Sequence, residues 1–552
     1  MLLVSVIAKA DIYYVSTTGN DGNPGTFAEP WLTIQYGINQ IQRGDTLYIR
    51  GGVYYSTAQI GIVGKSGTAD SIILVATYPD DYTAGNRAII DCDNLVATDG
   101  MWMRDVDYWK LDGLTIRNAR QDGTSGVKYG FIISRSEYIY MENMVSHDNG
   151  GPGFRAEQAR TIVYYTNCDS YNNADTIPIA PSSPGGRGAG FSIIGDVSET
   201  DTSKWVQAYY TGCRAWDNSS SGFAAAYGVK KAIYDSCWVI GVGTLEGDGR
   251  GFSTGRTTAA APPDSQYIIK NSISIYNRAR GYNVNCNGDA YTSNIVYLNN
   301  IAYNNGSGGG FTGSFGTQVA GAPIFRNNWS YPNAYKIGWQ VDAQFSMEPG
   351  MNYSSSYNSW DVSPAITITD NDFVSIDTAG IRGLRQADGG LPEINFLKLK
   401  STSDLINRGI DVGRPYNGLA PDLGAFEFIE SEPPDVPNVA TGTITKLTPY
   451  TASVLYNVSY DGGGTILGSG VCWSTSENPT TSDSLTITNN QEGVFSTTMT
   501  NLPKNTTIYV RAYATNASGT SYGENVVYST PAVIRVKDGT KFVKWNGQFI
   551  DW

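Results

Sequence analysis

A six-residue phase recurs through the middle of the chain and limits the fold more than any other feature. It is carried by Met144-Val-Ser-His-Asp-Asn149, Cys168-Asp-Ser-Tyr-Asn-Asn173, Cys213-Arg-Ala-Trp-Asp-Asn218, Cys237-Trp-Val-Ile-Gly-Val242, Ser272-Ile-Ser-Ile-Tyr-Asn277 and Asn300-Ile-Ala-Tyr-Asn-Asn305. Successive starts lie 24, 45, 24, 35 and 28 residues apart, so one short unit recurs with insertions. Gly-aromatic pairs follow the units, at Gly153-Phe154, Gly222-Phe223, Gly251-Phe252, Gly281-Tyr282 and Gly310-Phe311. A unit this short cannot bury its own apolar face and must stack on its neighbours. Short strands punctuated by Asn and Gly turns suit a parallel β-helix, in which each alignment column becomes a ladder one strand spacing apart.

The columns then acquire physical roles. Asn149, Asn173, Asn218, Asn277 and Asn305 form an expected stack of side-chain amides hydrogen-bonding along the axis. His147 shares a column with Tyr171, Trp216, Ile240, Ile275 and Tyr303, which makes it a stacking residue rather than a catalyst. Cys168, Cys213 and Cys237 share a column with Met144 and Ser272 and read as small core residues, with a disulfide requiring converging Cβ vectors. Upstream, Trp31, Ile34, Ile38 and Ile41 recur at helical spacing, as expected of a short amphipathic helix plugging the open end of the coil.

Composition excludes several chemistries. His147 is the single imidazole of 552 residues, so a two-His metal site is impossible and a His-dependent triad would have to use that residue. Acidic residues outnumber Lys and Arg by 51 to 38, and the isoelectric point near 4.7 argues against a nucleic-acid partner. The 63 Gly and 37 Tyr with little charge fit β-structure rich in tight turns. No stretch is long and apolar enough to span a bilayer. The short apolar run of residues 1–10 with Ala8-x-Ala10 reads as a truncated secretory signal, with a buried first strand as the alternative.

After Phe428 the acidic, Pro-rich run Glu430-Ser-Glu-Pro-Pro-Asp-Val-Pro437 marks a linker over 429–438. Residues 439–530 alternate like the strands of a β-sandwich, and 531–552 read as a small hairpin tail with exposed aromatics. Gly470-Val-Cys-Trp-Ser-Thr475 and Tyr509-Val-Arg-Ala-Tyr-Ala-Thr-Asn516 resemble fibronectin type III-like modules of secreted bacterial enzymes, which implies a spacer or adhesive role.

Residues 11–428 resemble right-handed parallel β-helix proteins, and more closely the family 9 polysaccharide lyases of the pectate lyase L type. The resemblance is carried by Asp372-Phe-Val-Ser-Ile-Asp377, Arg385-Gln-Ala-Asp-Gly-Gly-Leu-Pro392, Phe396-Leu-Lys-Leu399, Asp404-Leu-Ile-Asn407 and Pro421-Asp-Leu-Gly-Ala-Phe-Glu427. It implies an all-β chain, a calcium held by clustered Asp residues and a Lys that abstracts the proton α to a uronate carboxylate. Yet the family's Asp-Gly-Phe pattern meets Ala189-Gly190-Phe191, and its Asn-Ser-Asp-Asp-Gly-Phe-Asp pattern meets Asn218-Ser-Ser-Ser-Gly-Phe-Ala224. The carboxylates expected at Ala189, Ser220, Ser221 and Ala224 are missing, and Ser253 follows Gly251-Phe252 where the Lys is expected. Hydroxyls do not replace carboxylates as hard calcium ligands, so no metal site or cofactor is expected, calcium being the one the family would imply.

The groove of such a helix lies along the strands after each Gly-aromatic pair. The first outward positions are Arg155, Ser192, Ala224, Ser253, Asn283 and Thr312, and two further along stand Glu157, Ile194, Ala226, Gly255, Asn285 and Ser314. Arg155 with Glu157, and Arg250 with Arg256 and Asp248, are the candidate acid/base or substrate-clamp sets, weighed against ordinary surface charge. Tyr227, Asn283, Asn285, Arg256 and Phe315 are the candidate substrate contacts. The expectation is a secreted polysaccharide-recognising β-helix, its glycan acidic if the arginines bind it, without calcium-dependent lyase chemistry. Two alternatives stay open: a lyase acting by β-elimination through a displaced Arg/Tyr/Lys set, and a structural or adhesive protein of a phage tail or cell surface, homo-oligomeric if a fibre. A two-carboxylate glycosidase is a third option, although no carboxylate pair stands out in the columns.

Overall fold

The computed structural model describes residues 10–95, 98–122, 126–177, 184–196, 198–245, 247–255, 265–284, 294–313, 322–332, 344–348, 350–429, 435–488, 492–532, 534–535, 542–545 and 548–551. The candidate signal segment 1–9 lies outside them. The chain forms two compact units, residues 1–428 and 429–552.

The first unit is a parallel β-helix of three long sheets. Twelve strands from Ile12–Val15 to Ser354–Ser356 form sheet I, ten from Ile60–Val63 to Phe345–Met347 form sheet II, and ten from Gly52–Tyr55 to Trp329–Ser330 form sheet III. One coil shows the path: Ile139–Glu142 in sheet I, Val145–His147 in sheet III, then Phe154–Glu157 in sheet II. Between sheets I and III the chain turns through one left-handed residue, repeatedly Asn143, Asn167, Asn271, Asn299 and Asn327 with φ from 52° to 57°. Asn tolerates this region better than other residues with a Cβ.

The aligned columns are physical ladders. Phe131, Phe154, Phe191, Phe223, Phe252, Tyr282 and Phe311 stack inward from sheet II, with ring centroids 4.5–5.2 Å apart. Asn149 Nδ2 donates to Asn173 Oδ1 (2.8 Å), Asn173 Nδ2 to Asn218 Oδ1 (2.9 Å) and Asn277 Nδ2 to Asn305 Oδ1 (2.8 Å). Val242 interrupts the amide column, but its backbone N–H still donates to Asn277 Oδ1. A second amide ladder, Asn300–Asn328–Asn358, continues the column that begins with the cysteines and Ser272. The cysteines among the described residues are free and buried, whereas Cys286 lies outside those residues. His147 stacks on Tyr171 with centroids 4.7 Å apart and holds Asp148 at 2.5 Å.

These ladders dictate the Gly of each Gly-aromatic pair. A Cβ on Gly153 or Gly251 would collide with the Ser and Asn side chains of the ladder, Ser170 and Asn173 in one case and Ser274 and Asn277 in the other. At the open end, α1 (Ile34–Gln40) buries Ile34, Gly37 and Ile38 against the first coils, and the Thr33 hydroxyl caps it by accepting from the Tyr36 N–H.

The segment from Asp370 to Phe428 packs on sheet III through Phe373, Phe396, Leu397 and Leu405. A buried ionic cluster fixes it: Asp169 accepts from Arg214 (2.7 and 2.9 Å) and from Arg385 (2.7 Å), while Arg385 also donates to the carbonyls of Cys168 and Gly212. This gives the Arg385 motif a structural role. Burial opposes ionisation of Asp169, but the two guanidinium groups outweigh it and hold its carboxyl below the usual range.

The second unit packs two antiparallel sheets around Val439, Tyr456, Val471, Trp473, Ile508 and Val510. At its end the expected hairpin, Phe542–Trp545 with Gln548–Asp551, gains a short third strand at Ile534–Arg535.

Two substitutions test these supports by chemical denaturation. Asn277→Ala leaves the Val242 N–H without its acceptor and removes the amide donor to Asn305 Oδ1 and Ser274 Oγ, and is expected to cost about 1–3 kcal/mol. Arg385→Met strands part of a buried ion cluster and is expected to cost about 3 kcal/mol near neutral pH. Because the Asp169 carboxyl is held low when folded, its stabilisation is full above the unfolded value of about 3.9 and is lost as pH falls through the folded value. The difference between wild type and Arg385→Met is therefore expected to narrow below about pH 4.

Candidate functional site

The outward column of sheet II has the expected register, running Arg155, Ser192, Ala224, Ser253, Asn283 and Thr312. Beside it runs a second column, the residue before each glycine: Asp99, Tyr129, Pro152, Ala189, Ser221, Arg250 and Arg280. From Gly100 to Gly222, each glycine N–H donates to the carbonyl of this column's next member, which keeps the column in step. Together the two columns define the groove, and within them the charged residues stand toward the ends.

At the N-terminal end, Arg155 Nη1 donates to Ser192 Oγ (2.7 Å), its Nε reaches Glu157 at 3.2 Å, and its guanidinium lies 5.6 Å from the Tyr129 ring centroid. Arg155 and Glu157 are thus brought together as expected, but as a mutual ion pair tied to Ser192. Burial pushes the Tyr129 hydroxyl above its ordinary pKa, with Arg155 opposing. Burial likewise raises the Asp99 carboxyl, which accepts from the Tyr129 N–H at 3.0 Å.

The middle of the groove is a cavity of about 380 Å3. Ala189, Ser220, Ser221, Ala224 and Ser253 all line it, so the five positions singled out by the family patterns converge in space. Their side chains are small and neutral, and Ser220 Oγ is engaged with the Gly186 carbonyl at 3.2 Å. Tyr129, Arg155 and Arg187 also line it, and Arg187 is exposed without an ion pair among the described residues. Asp248, the carboxylate in the lining, is half-exposed and paired with Arg250 at 3.2 Å. Calcium takes six to eight oxygens, several of them carboxylate. Three hydroxyls, two methyl groups and one exposed, paired carboxylate do not fit it.

The other candidates fall unevenly. Asp248 and Arg250 meet as expected, while Arg256, Asn285 and Phe315 lie outside the described residues. Tyr227 follows the strand Phe223–Ala226 and stands half-buried beyond the cavity lining. Asn283 is buried in the outward column, its Oδ1 accepting from Arg280 at 2.7 Å. Tyr129, Arg187 and Arg280 were not singled out from the sequence. Tyr129 and Arg280 could have been, because Tyr129-Gly130-Phe131 and Arg280-Gly281-Tyr282 repeat the X-Gly-aromatic pattern of Arg250-Gly251-Phe252.

Comparison with known proteins decides the relationship. The family described as "Pel9A-like, right handed beta helix region" matches residues 13–343. The chain belongs to the Pel9A-like right-handed β-helix family. Among its relatives, pectate lyase L of Dickeya dadantii is 27% identical over 438 residues, covering 77% of this chain and 92% of the relative. Pectate lyase PEL9 of Emericella nidulans is 29% identical over 424 residues, covering 72% and 93%. The crystal structure of pectate lyase Pel9A superposes with a TM-score of 0.58 at 25% identity, covering 77% of this chain and 98% of that one. A rhamnogalacturonan lyase shares the fold, with a TM-score of 0.56 at 23% identity, covering 71% and 97%.

Proposed function

We propose that this protein is a polysaccharide-recognising member of the Pel9A-like family that does not carry out calcium-dependent lyase chemistry. The observation that carries the reading is the convergence of Ala189, Ser220, Ser221, Ala224 and Ser253 in one cavity with no carboxylate or lysine among them. Elimination next to a uronate carboxylate needs a positioned base and a cation to stabilise the charge developing on the carboxyl oxygens. Neutral hydroxyls and methyl groups supply neither. What remains is a groove that can bind: hydroxyl donors along its floor, the aromatic edge of Tyr129, and Arg187 exposed beside it.

A glycan polymer is met outside the producing cell, so the reading includes an extracellular location. It also assigns the C-terminal unit a spacer or adhesive role, supported by the resemblance of its strand motifs to fibronectin type III-like modules. A displaced catalytic set has less support, since Arg155 and Glu157 neutralise one another and Arg250 is paired with Asp248.

The test is affinity electrophoresis of the intact chain through a panel of acidic and neutral polysaccharides. At least one polysaccharide is expected to retard it, equally with calcium or chelator. Ala224→Trp, which fills the cavity, is expected to weaken that binding about tenfold or more with an unchanged near-UV spectrum. Retardation by none of the polysaccharides, or an Ala224→Trp variant that binds like wild type, would refute the assignment of this groove.

A further inference from the structure

The C-terminal end of the groove holds an arrangement that glycan recognition by the neutral middle does not use. Arg250 and Arg280 occupy equivalent positions on adjacent sheet II strands, so two guanidinium-bearing residues stand one strand spacing apart. Like charges opposed on neighbouring strands are unfavourable unless something neutralises them. Arg250 has Asp248, which is half-exposed. Arg280 makes no ion pair among the described residues; its carboxylate neighbours, Asp248 and Glu348, act on it only at a distance.

The Arg280 side chain passes over Gly308, where a Cβ would collide with its stem, and reaches the groove face to donate from Nη1 to Asn283 Oδ1 at 2.7 Å. Thr312 Oγ1 donates to the same oxygen at 3.2 Å. The acceptor side of the Asn283 carboxamide is therefore saturated, while its Nδ2, on a fully buried residue, has no partner among the described residues. A buried amide donor left unpaired is destabilising and calls for an acceptor. Burial and the nearby Arg250 lower the Arg280 pKa to about 10, which leaves it charged at neutral pH and in need of a counter-ion.

We propose that Arg250, Arg280 and Asn283 form an oxyanion-binding subsite that takes the sulfate half-ester or carboxylate substituent of a glycan. A planar guanidinium presents parallel donors to such a group, a second guanidinium shares its charge, and the Asn283 amide supplies the remaining donor. For its glycan the proposal rests on the function assigned above, but the anion site itself can be tested without polysaccharide.

Inorganic sulfate is the first probe, titrated into the intact protein against chloride at matched ionic strength, with melting temperature and calorimetric affinity as readouts. Sulfate is expected to raise the melting temperature of wild type more than chloride does. Arg280→Met is expected to lose about tenfold in sulfate affinity, the loss of one charge-assisted donor pair, and Asn283→Ala a smaller part. Arg250→Gln, which leaves the Arg280–Asn283 bond in place, provides a second variant should Arg280→Met fail to fold, and is also expected to weaken sulfate binding.

The second arm compares a sulfated galactan, oligogalacturonate and a neutral galactan, to identify which substituent the site takes. Arg280→Met is expected to lose the preference for the charged polymer while binding of any neutral polysaccharide persists. The proposal is overturned if wild type binds no sulfate, or if the variants bind sulfate and charged glycans as tightly as wild type. Loss of neutral binding by Ala224→Trp alone would leave the sulfate result unaffected, so the two readings fail separately.

Discussion

In-register stacking is the constraint on which the β-helix depends. Each coil is too short to hold itself, and many of its buried polar groups find partners in the neighbouring coils. The Asn149–Asn173–Asn218 and Asn300–Asn328–Asn358 ladders do this directly, spending one carboxamide per rung on the rung beside it. The aromatic column inside sheet II follows the same register, and the glycine before each aromatic is the space the ladder requires. The Asp169–Arg214–Arg385 cluster then ties the segment after Asp370 to the finished stack.

The same register builds the groove. Once the glycine column is fixed, the residue before it and the second residue after it must line up along the axis, whatever they are. A family can therefore change chemistry by substitution on an unchanged frame. In this chain Ala189, Ser221 and Ala224 sit between charged ends, with Arg155 and Glu157 on one side and Arg250 and Arg280 on the other. Fold membership and catalytic capacity are separate properties here, the first carried by the ladders and the second by a few outward positions.

Much of this was legible before the structure. The Asn column, the stacking role of His147 and the buried cysteines follow from one alignment phase, the outward order from Arg155 to Thr312 from the Gly-aromatic pairs, and the capping helix from the helical spacing of Ile34 and Ile38. That phase worked because a side chain's column sets its environment in a repeat fold. What escaped it lay off the aligned window or turned on three-dimensional pairing. Asn143, Asn167, Asn271, Asn299 and Asn327 stand one position ahead of the phase, and their left-handed backbone makes a third asparagine column. The link from Asp169 to Arg385 spans 216 residues of sequence, and no local pattern announces it. Arg280 needed the X-Gly-aromatic column to be read for X as well as for the glycine. The pairing of Arg155 with Glu157 was anticipated, but its anchoring by Ser192 belongs to the next coil.

The claim that the frame persists while the elimination chemistry does not is tested most directly by incubating the intact protein with polygalacturonate and following the ultraviolet absorbance of unsaturated uronate ends, with calcium and with chelator. No product above the protein-free rate is predicted in either condition. Calcium-dependent accumulation of unsaturated ends, abolished by chelator, would contradict it.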